Sequence, residues 1–102
     1  MNFNESVYYL LTLIPKGRVT TYGAIAKALG KKYASRAVGR ALHNNPDGEK
    51  YPCYKVVDRH GKLTDNFVFG GICVQAALLK KDGIEVINNT VDLKKYGFFF
   101  IE

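Results

Sequence analysis

Two short helical patterns joined by a tight connection constrain the fold of this chain more than any other feature. In the first, apolar residues recur on one face from Tyr22 to Leu29, and Gly30 suits the left-handed position after a helix. The second starts at Ser35, its expected cap, and runs to about His43. Its inward face is small and apolar: Ala37, Val38, Ala41 and Leu42. Such a pair of helices is typical of a helix-turn-helix domain.

The second helix also carries a basic stripe. Helical spacing places three basic residues and a glycine on one side: Arg36, Gly39, Arg40 and His43. The small residues keep this helix thin, so it can approach another surface closely. The chain has 15 basic and 9 acidic residues, a formal charge of +6, which suits a polyanionic partner such as nucleic acid. The pattern alone supports a DNA-contacting helix and an ordinary solvent-exposed helix equally.

Smaller elements flank this pair. A helix from Glu5 to about Leu13, capped by Asn4, is predicted before it, and Thr20 or Thr21 is expected to cap the next helix. These assignments depend on local periodicity and capping preferences alone.

The second half of the chain predicts a strand, a helix and a hairpin. The β-branched pair at 56–57 indicates a short strand, a fourth helix ends at Asp82, and a hairpin turns at 88–89. The apolar segment 96–101 is expected to dock on the core. The predicted class is mainly α with small β elements: a winged-helix-like helix-turn-helix domain with a C-terminal β-hairpin, with residues 1–102 as one domain.

Length and composition exclude several other classes. A chain of 102 residues supports one core. No apolar run approaches a membrane span, and the first residues lack the pattern of a signal peptide, so a cytoplasmic, DNA-associated protein is expected. Two cysteines, Cys53 and Cys73, are too few for a disulfide framework, and with only two histidines beside them no metal site is expected.

Cys53 is the candidate nucleophile. It follows Pro52, which restricts the backbone around it, and it precedes Lys55, whose charge could favour the nucleophilic thiolate. A free cysteine is more often a small buried hydrophobic residue. One cysteine near one lysine does not decide between these interpretations.

Five segments together resemble one protein family. They match, in order and close to its spacing, the DNA-binding, cysteine-bearing domain of the O6-alkylguanine-DNA alkyltransferases. The segments are Ile14–Gly30, Ser35–Leu42, Asn44–Pro46, Pro52–Val57 and Gly70–Gly83. The resemblance implies a single-use repair protein that flips a damaged guanine and moves its O6-alkyl group irreversibly to Cys53. It also implies double-stranded DNA carrying O6-alkylguanine as the partner, no cofactor, no membrane contact and a monomeric state.

The resemblance implies roles for individual residues. Cys53 would be the acceptor, Tyr22 would help rotate the nucleotide and bond the flipped base, and Arg36 would fill the gap in the duplex. Asn45 would support the strand before the cysteine, and the backbone at Cys53 and Val56 would bond the guanine edge. The implied DNA-contacting residues are Thr21, Tyr22, Ser35, Arg36, Ala37, Gly39 and Arg40.

The chain departs from the family pattern beside the cysteine. Tyr54 and Lys55 stand where the family has His and Arg, and Asp82 stands where it has a Glu linked to that His. We therefore predict a proton relay from Cys53 through a water and Tyr54 to Asp82, with Lys55 lowering the thiol pKa.

Two more departures concern the base pocket and leave the accepted alkyl groups open. Gln75 replaces a lysine of the last helix, and Phe69, a predicted base contact, replaces a small polar residue. The tail 91–98 resembles the alkyltransferase-like proteins, which bind alkylated DNA without repairing it and lack the acceptor cysteine. The alternatives are thus a lesion sensor that recruits other repair proteins, and a plain helix-turn-helix regulator, which would dimerise and bind the major groove.

Overall fold

A computed structural model describes residues 1–64 and 67–100 of the chain. The regular elements in these ranges are α1 (Phe3–Leu11), β1 (Thr20–Thr21), α2 (Tyr22–Ala28), α3 (Ser35–His43), a 3-10 turn (Cys53–Lys55), β2 (Val56–Val57), α4 (Gly71–Lys81) and α5 (Leu93–Tyr96). Strands β1 and β2 pair in parallel, with Thr20 opposite Val56. The mainly helical class with small β elements is therefore confirmed. None of the helices in the described ranges combines the length and the apolar character that a membrane span requires.

The first helix starts two residues earlier than predicted. Its cap is Asn2, whose Oδ1 accepts from Glu5 N at 2.8 Å, while Glu5 Oε1 accepts from Asn2 N at 2.9 Å. This reciprocal pair satisfies two backbone donors that the helix cannot satisfy itself. The predicted cap Asn4 and the predicted end at Leu13 are therefore wrong: Asn4 lies inside α1, which ends at Leu11.

The helix-turn-helix pair follows the sequence pattern closely. Thr21 caps α2, since its hydroxyl accepts from Ala24 N at 3.0 Å. Gly30 has a φ of +72°, the left-handed conformation expected after that helix. Ser35 is the first residue of α3 instead of its cap, and the preceding Ala34 offers no side-chain cap. Of the predicted inward face, Val38, Ala41 and Leu42 are buried and Ala37 is half-buried.

The core consists of two hydrophobic clusters. The first joins α1, α2 and α3 through residues such as Leu11, Ile25 and Val38. The second gathers short segments that are distant in sequence: Val19, Val57, Leu63, Leu79, Ile84 and Val91. Cys53 and Val56 belong to the first cluster, whereas Val57 belongs to the second. The segment that carries the candidate nucleophile therefore passes from one cluster to the other.

The tail forms less strand than predicted. The hairpin turn is present, because Asn88 and Asn89 have φ values of +53° and +55°, but its ladder is the single bridge between Ile87 and Thr90. A short helix, α5, follows where a second hairpin strand was expected. Beyond it, Phe98 N donates to Val19 O at 2.6 Å, and Phe98 and Phe100 pack on the first cluster. The docking predicted for this segment is observed as far as residue 100, and residue 101 lies outside the described ranges.

Candidate active site

Cys53 begins the 3-10 turn and is 5% exposed. Its backbone N–H donates to Tyr51 O at 2.7 Å, and the same carbonyl accepts from Asn45 Nδ2 at 2.8 Å. The Oδ1 of Asn45 accepts from Asp47 N at 3.0 Å. One buried amide thus ties the turn after α3 to the segment before the thiol, at the position where the resemblance implies a supporting asparagine.

Burial raises the pKa of the Cys53 thiol above its ordinary value. Hydrogen bonds from the Asn45 side chain and from the cysteine's own backbone act in the opposite direction without cancelling that rise. The thiol is therefore protonated at neutral pH in this conformation. Lys55 is not among the groups that act on it, so the prediction that Lys55 lowers the thiol pKa is wrong.

Lys55 is instead half of a buried ion pair. Its Nζ lies 3.3 Å from Asp82 Oδ2, and the two side chains are 8% and 10% exposed. Lys55 Nζ also donates to Pro15 O at 3.2 Å, and Asp82 Oδ2 accepts from Gly17 N at 2.9 Å. This network joins the 3-10 turn, the end of α4 and the loop after α1. Sequence analysis assigned the charge of Lys55 to the thiol and missed this pairing, because Asp82 comes from a distant part of the chain.

Tyr54 is the middle residue of the 3-10 turn, after the cysteine and before Lys55. Burial raises the pKa of its hydroxyl, and the negative charge of Asp82 raises it further, so the hydroxyl keeps its proton at neutral pH. Lys55 Nζ lies 5.9 Å from the centroid of the Tyr54 ring. Asp82 Oδ2 is bound by Lys55 Nζ and Gly17 N, and these contacts hold the turn in place. The proton relay from Tyr54 to Asp82 stays a prediction.

A cavity of about 630 Å³ opens beside the thiol and is lined by Cys53, Tyr54, Leu78 and the turn 46–49. Phe67 and Phe69 form another wall, with their ring centroids 5.9 Å apart in an edge-on arrangement. Gly48 makes room for this wall, because a Cβ there would lie 2.8 Å from the Phe69 ring. Phe69 thus lines the cavity, and its contact with a base stays a prediction, whereas Gln75 lies outside the lining and is buried behind the turn.

The basic stripe of α3 lies on the surface. Ser35, Arg36, Arg40 and His43 are exposed, and Gly39 between them is half-buried. The predicted DNA contact Thr21 differs from these, since it is 7% exposed and its hydroxyl is used as the cap of α2.

Tyr22 is the first residue of α2 and is half-buried. Its hydroxyl lies 3.3 Å from Thr64 Oγ1, and burial raises its pKa. Sequence analysis did not identify Thr64, because the contact joins segments 42 positions apart. The hydroxyl is therefore neutral and held at a defined position near the cysteine-bearing segment.

Comparison with known proteins agrees with this geometry. The family model for the 6-O-methylguanine DNA methyltransferase DNA-binding domain matches residues 2–84. A bifunctional methyltransferase/endonuclease of Picrophilus torridus is 47% identical over 92 residues, which are 90% of this chain and 30% of that protein. A DNA base-flipping protein of Vibrio parahaemolyticus is 37% identical over 92% of this chain and 93% of its own length.

A solved structure shares the same architecture. The crystal structure of Schizosaccharomyces pombe Atl1 in complex with damaged DNA containing O6-carboxymethylguanine matches with a TM-score of 0.83 and 27% identity, covering 94% of both chains. The likeness therefore extends over nearly the whole fold. This chain belongs to the 6-O-methylguanine DNA methyltransferase family, through the DNA-binding domain of that family.

Proposed function

We propose that this chain repairs double-stranded DNA, as a monomer, by transferring an alkyl group irreversibly from O6 of a guanine to the sulfur of Cys53. The observation that carries the proposal is the position of Cys53 on the wall of a cavity of about 630 Å³, a volume suited to a small-molecule-sized group such as an extruded base. The name of the Picrophilus relative, which includes methyltransferase activity, supports the same reaction.

The reaction balances without a cofactor. The sulfur of Cys53 forms a bond to the alkyl carbon while the bond from that carbon to O6 breaks, and the electron pair of the broken bond passes to the guanine. The proton that leaves the thiol ends on the guanine ring, which restores the normal base. Since the thioether has no route back to a thiol, each molecule acts once.

Base extrusion precedes this step, because the O6 atom of a stacked guanine cannot reach a buried thiol. We assign the insertion into the duplex to Arg36, which is exposed at the first turn of α3. The DNA backbone would be contacted by Ser35, Ala37, Gly39 and Arg40. Tyr22 would crowd the phosphate 3′ of the target nucleotide and form a hydrogen bond to the flipped base. The backbone at Cys53 and Val56 would bond the guanine edge. The unstacking cost of a few kcal/mol is least for a damaged base, which favours lesions over normal pairs.

Movement of the thiol proton is assigned to Tyr54, which lines the cavity beside Cys53. Its hydroxyl is protonated and can pass the proton through a water from the Cys53 sulfur toward the guanine ring. Asp82 would act indirectly, by holding Lys55 and thereby the turn. If Tyr54→Phe transfers alkyl groups as fast as the unchanged protein, the tyrosine has no part in proton release.

A lesion sensor is the second candidate. It is supported by the likeness to Atl1, which was crystallised with damaged DNA, and by the base-flipping relative. Tyr54 in place of the family's His, and Asp82 in place of its Glu, would suit a protein that binds without reacting. The sensor predicts tight, lesion-selective binding and an unmodified Cys53.

Intact mass decides between these candidates. The protein is incubated with excess duplex containing one O6-methylguanine, and a gain of about 14 Da is expected if a methyl group replaces the thiol hydrogen. Cys53→Ser must abolish the gain, and Cys73→Ser, which removes the exposed thiol, must leave it intact. Lesion-selective binding without a mass gain would replace the repair proposal with the sensor. Absence of lesion preference would leave the plain helix-turn-helix regulator.

A further inference from the structure

Gln75 makes an unusual pair of contacts behind the 3-10 turn Cys53–Lys55, called the catalytic turn below because the proposed function places the nucleophile on it. It lies in the middle of α4 and is only 2% exposed. Its Nε2 donates to Tyr54 O at 3.0 Å and to Val56 O at 3.1 Å. One amide group therefore binds the backbone on both sides of Lys55.

These two carbonyls are not bonded by the turn itself. The hydrogen bonds of the 3-10 turn run from Lys55 N to Pro52 O and from Val56 N to Cys53 O. The last carbonyls of a helical turn need donors from elsewhere, and buried ones are costly to leave without a partner. Gln75 supplies those donors from the adjacent helix.

The other end of the amide shows that the donors are what this position requires. The Oε1 of Gln75 is buried and has no hydrogen-bond partner among the described residues. An apolar side chain of similar length would avoid burying that oxygen. The two N–H groups of the side chain therefore explain a glutamine at this position, because its buried Oε1 lowers the free energy of unfolding.

We propose that Gln75 is a positioning residue for the transfer reaction. By fixing Tyr54 O and Val56 O, it sets the backbone that aims the Cys53 sulfur into the cavity and presents the carbonyl of Val56 to a bound base. The inference rests on the proposed function for the reaction, alkyl transfer. The role of Gln75 in fixing the backbone of the turn rests on its two hydrogen bonds.

The test compares three substitutions of Gln75 at temperatures where each variant is fully folded. Gln75→Met keeps the length and removes the donors, Gln75→Glu replaces the donors with acceptors, and Gln75→Lys keeps donors without an acceptor. We expect Gln75→Met and Gln75→Glu to lower the single-turnover rate at saturating lesion DNA by about tenfold or more, because small displacements of reacting groups have large effects on rate. Gln75→Lys should recover most of the rate, and affinity for undamaged duplex should be unchanged in all three.

A matched control separates positioning from loss of stability. Leu11→Ala removes a fully buried side chain of α1 in the first cluster, and it should lower the melting temperature while keeping the rate. The inference is overturned if Gln75→Met transfers at the unchanged rate, or if it loses no more rate than Leu11→Ala at equal stability. If Gln75→Met does not fold, the single-turnover rates of Gln75→Lys and Gln75→Glu are compared instead. Equal rates for these two variants overturn the inference.

Failure of the proposed function gives a different result. The unchanged protein then gains no mass, and the three variants are compared by their preference for O6-methylguanine duplex over undamaged duplex. Loss of that preference in Gln75→Met, with recovery in Gln75→Lys, supports the positioning role. An unaltered preference refutes it.

Discussion

The two hydrophobic clusters differ in how they are built. The first is a packing of three helices, so most of its residues come from regular local structure. The second is assembled from strands, loops and α4, whose contributions are distant in sequence. Helix α3, with its basic stripe, stands on the first cluster, whereas the back of the catalytic turn is bonded to α4. The proposed DNA binding and alkyl transfer would therefore depend on different parts of the core, and the cysteine-bearing segment contributes to both.

The largest effect is expected from breaking the ion pair that joins the 3-10 turn to the end of α4. Lys55→Met leaves the Asp82 carboxylate buried without its counterion, which costs about 3–5 kcal/mol of the free energy of unfolding. Urea denaturation measures the loss, and Lys80→Met, on the exposed side of α4, is the control. Adding Asp82→Asn to Lys55→Met should recover part of the loss. Equal stabilities for Lys55→Met and the control would show that the pair does not join the two regions.

A pair of equivalent truncations sharpens the comparison directly. Leu11 and Leu79 are both fully buried, one in each cluster, and each change to alanine is expected to cost about 2–5 kcal/mol. At a temperature where both variants are folded, Leu79→Ala should slow alkyl transfer because α4 supports the catalytic turn. Leu11→Ala should transfer at the unchanged rate. Equal slowing of the two would mean that the clusters act as one unit.

The pH dependence of transfer tests the burial of the thiol. Because burial raises the pKa of Cys53, the reactive thiolate is a minor species at neutral pH. Its fraction grows about tenfold for each pH unit below that pKa, so the single-turnover rate at saturating DNA should still be climbing at pH 8.5. A rate that levels off near pH 7 would indicate a thiolate stabilised by DNA binding or by a nearby cation.

The smallest effect concerns the N-terminal cap of α1. Asn2→Ala removes the reciprocal cap with Glu5 and should cost about 1 kcal/mol. Asn4→Ala, at the cap position that sequence analysis predicted, should have little effect because Asn4 lies exposed inside the helix. Thermal unfolding of the two variants side by side gives the measurement. Alkyl transfer should be unchanged in both.

The parts of the fold that sequence analysis predicted are those with local causes. Helical periodicity placed α2 and α3, and the valine pair placed β2, because the residues involved are close together in the chain. The start of α1 was missed although a local signal exists, since Asn2 stands three residues before Glu5. Helix α5 was missed because alternating apolar residues favoured a strand there.

The parts of the candidate site that were missed have tertiary causes. Lys55 is buried only because Asp82, at the end of α4, reaches it, and no spacing rule connects positions 27 residues apart. Gln75 was identified as a departure from the family pattern, but its two backbone partners depend on how α4 packs against the turn. Family resemblance pointed to Cys53 as the candidate nucleophile and to Phe69 as a pocket residue, whereas the charges around them depend on tertiary packing.

The contrast between the two cysteines makes the protein convenient for fluorescence studies. Cys53 is buried, while Cys73 is exposed near the start of α4. A maleimide dye should therefore couple to Cys73 first and leave the reactive sulfur free. Since Cys73 lies two residues before Gln75 on the same helix, the dye would report on α4 during a single turnover. The same exposure makes storage under reducing conditions advisable, because Cys73 is the thiol that can form disulfide-linked dimers in air.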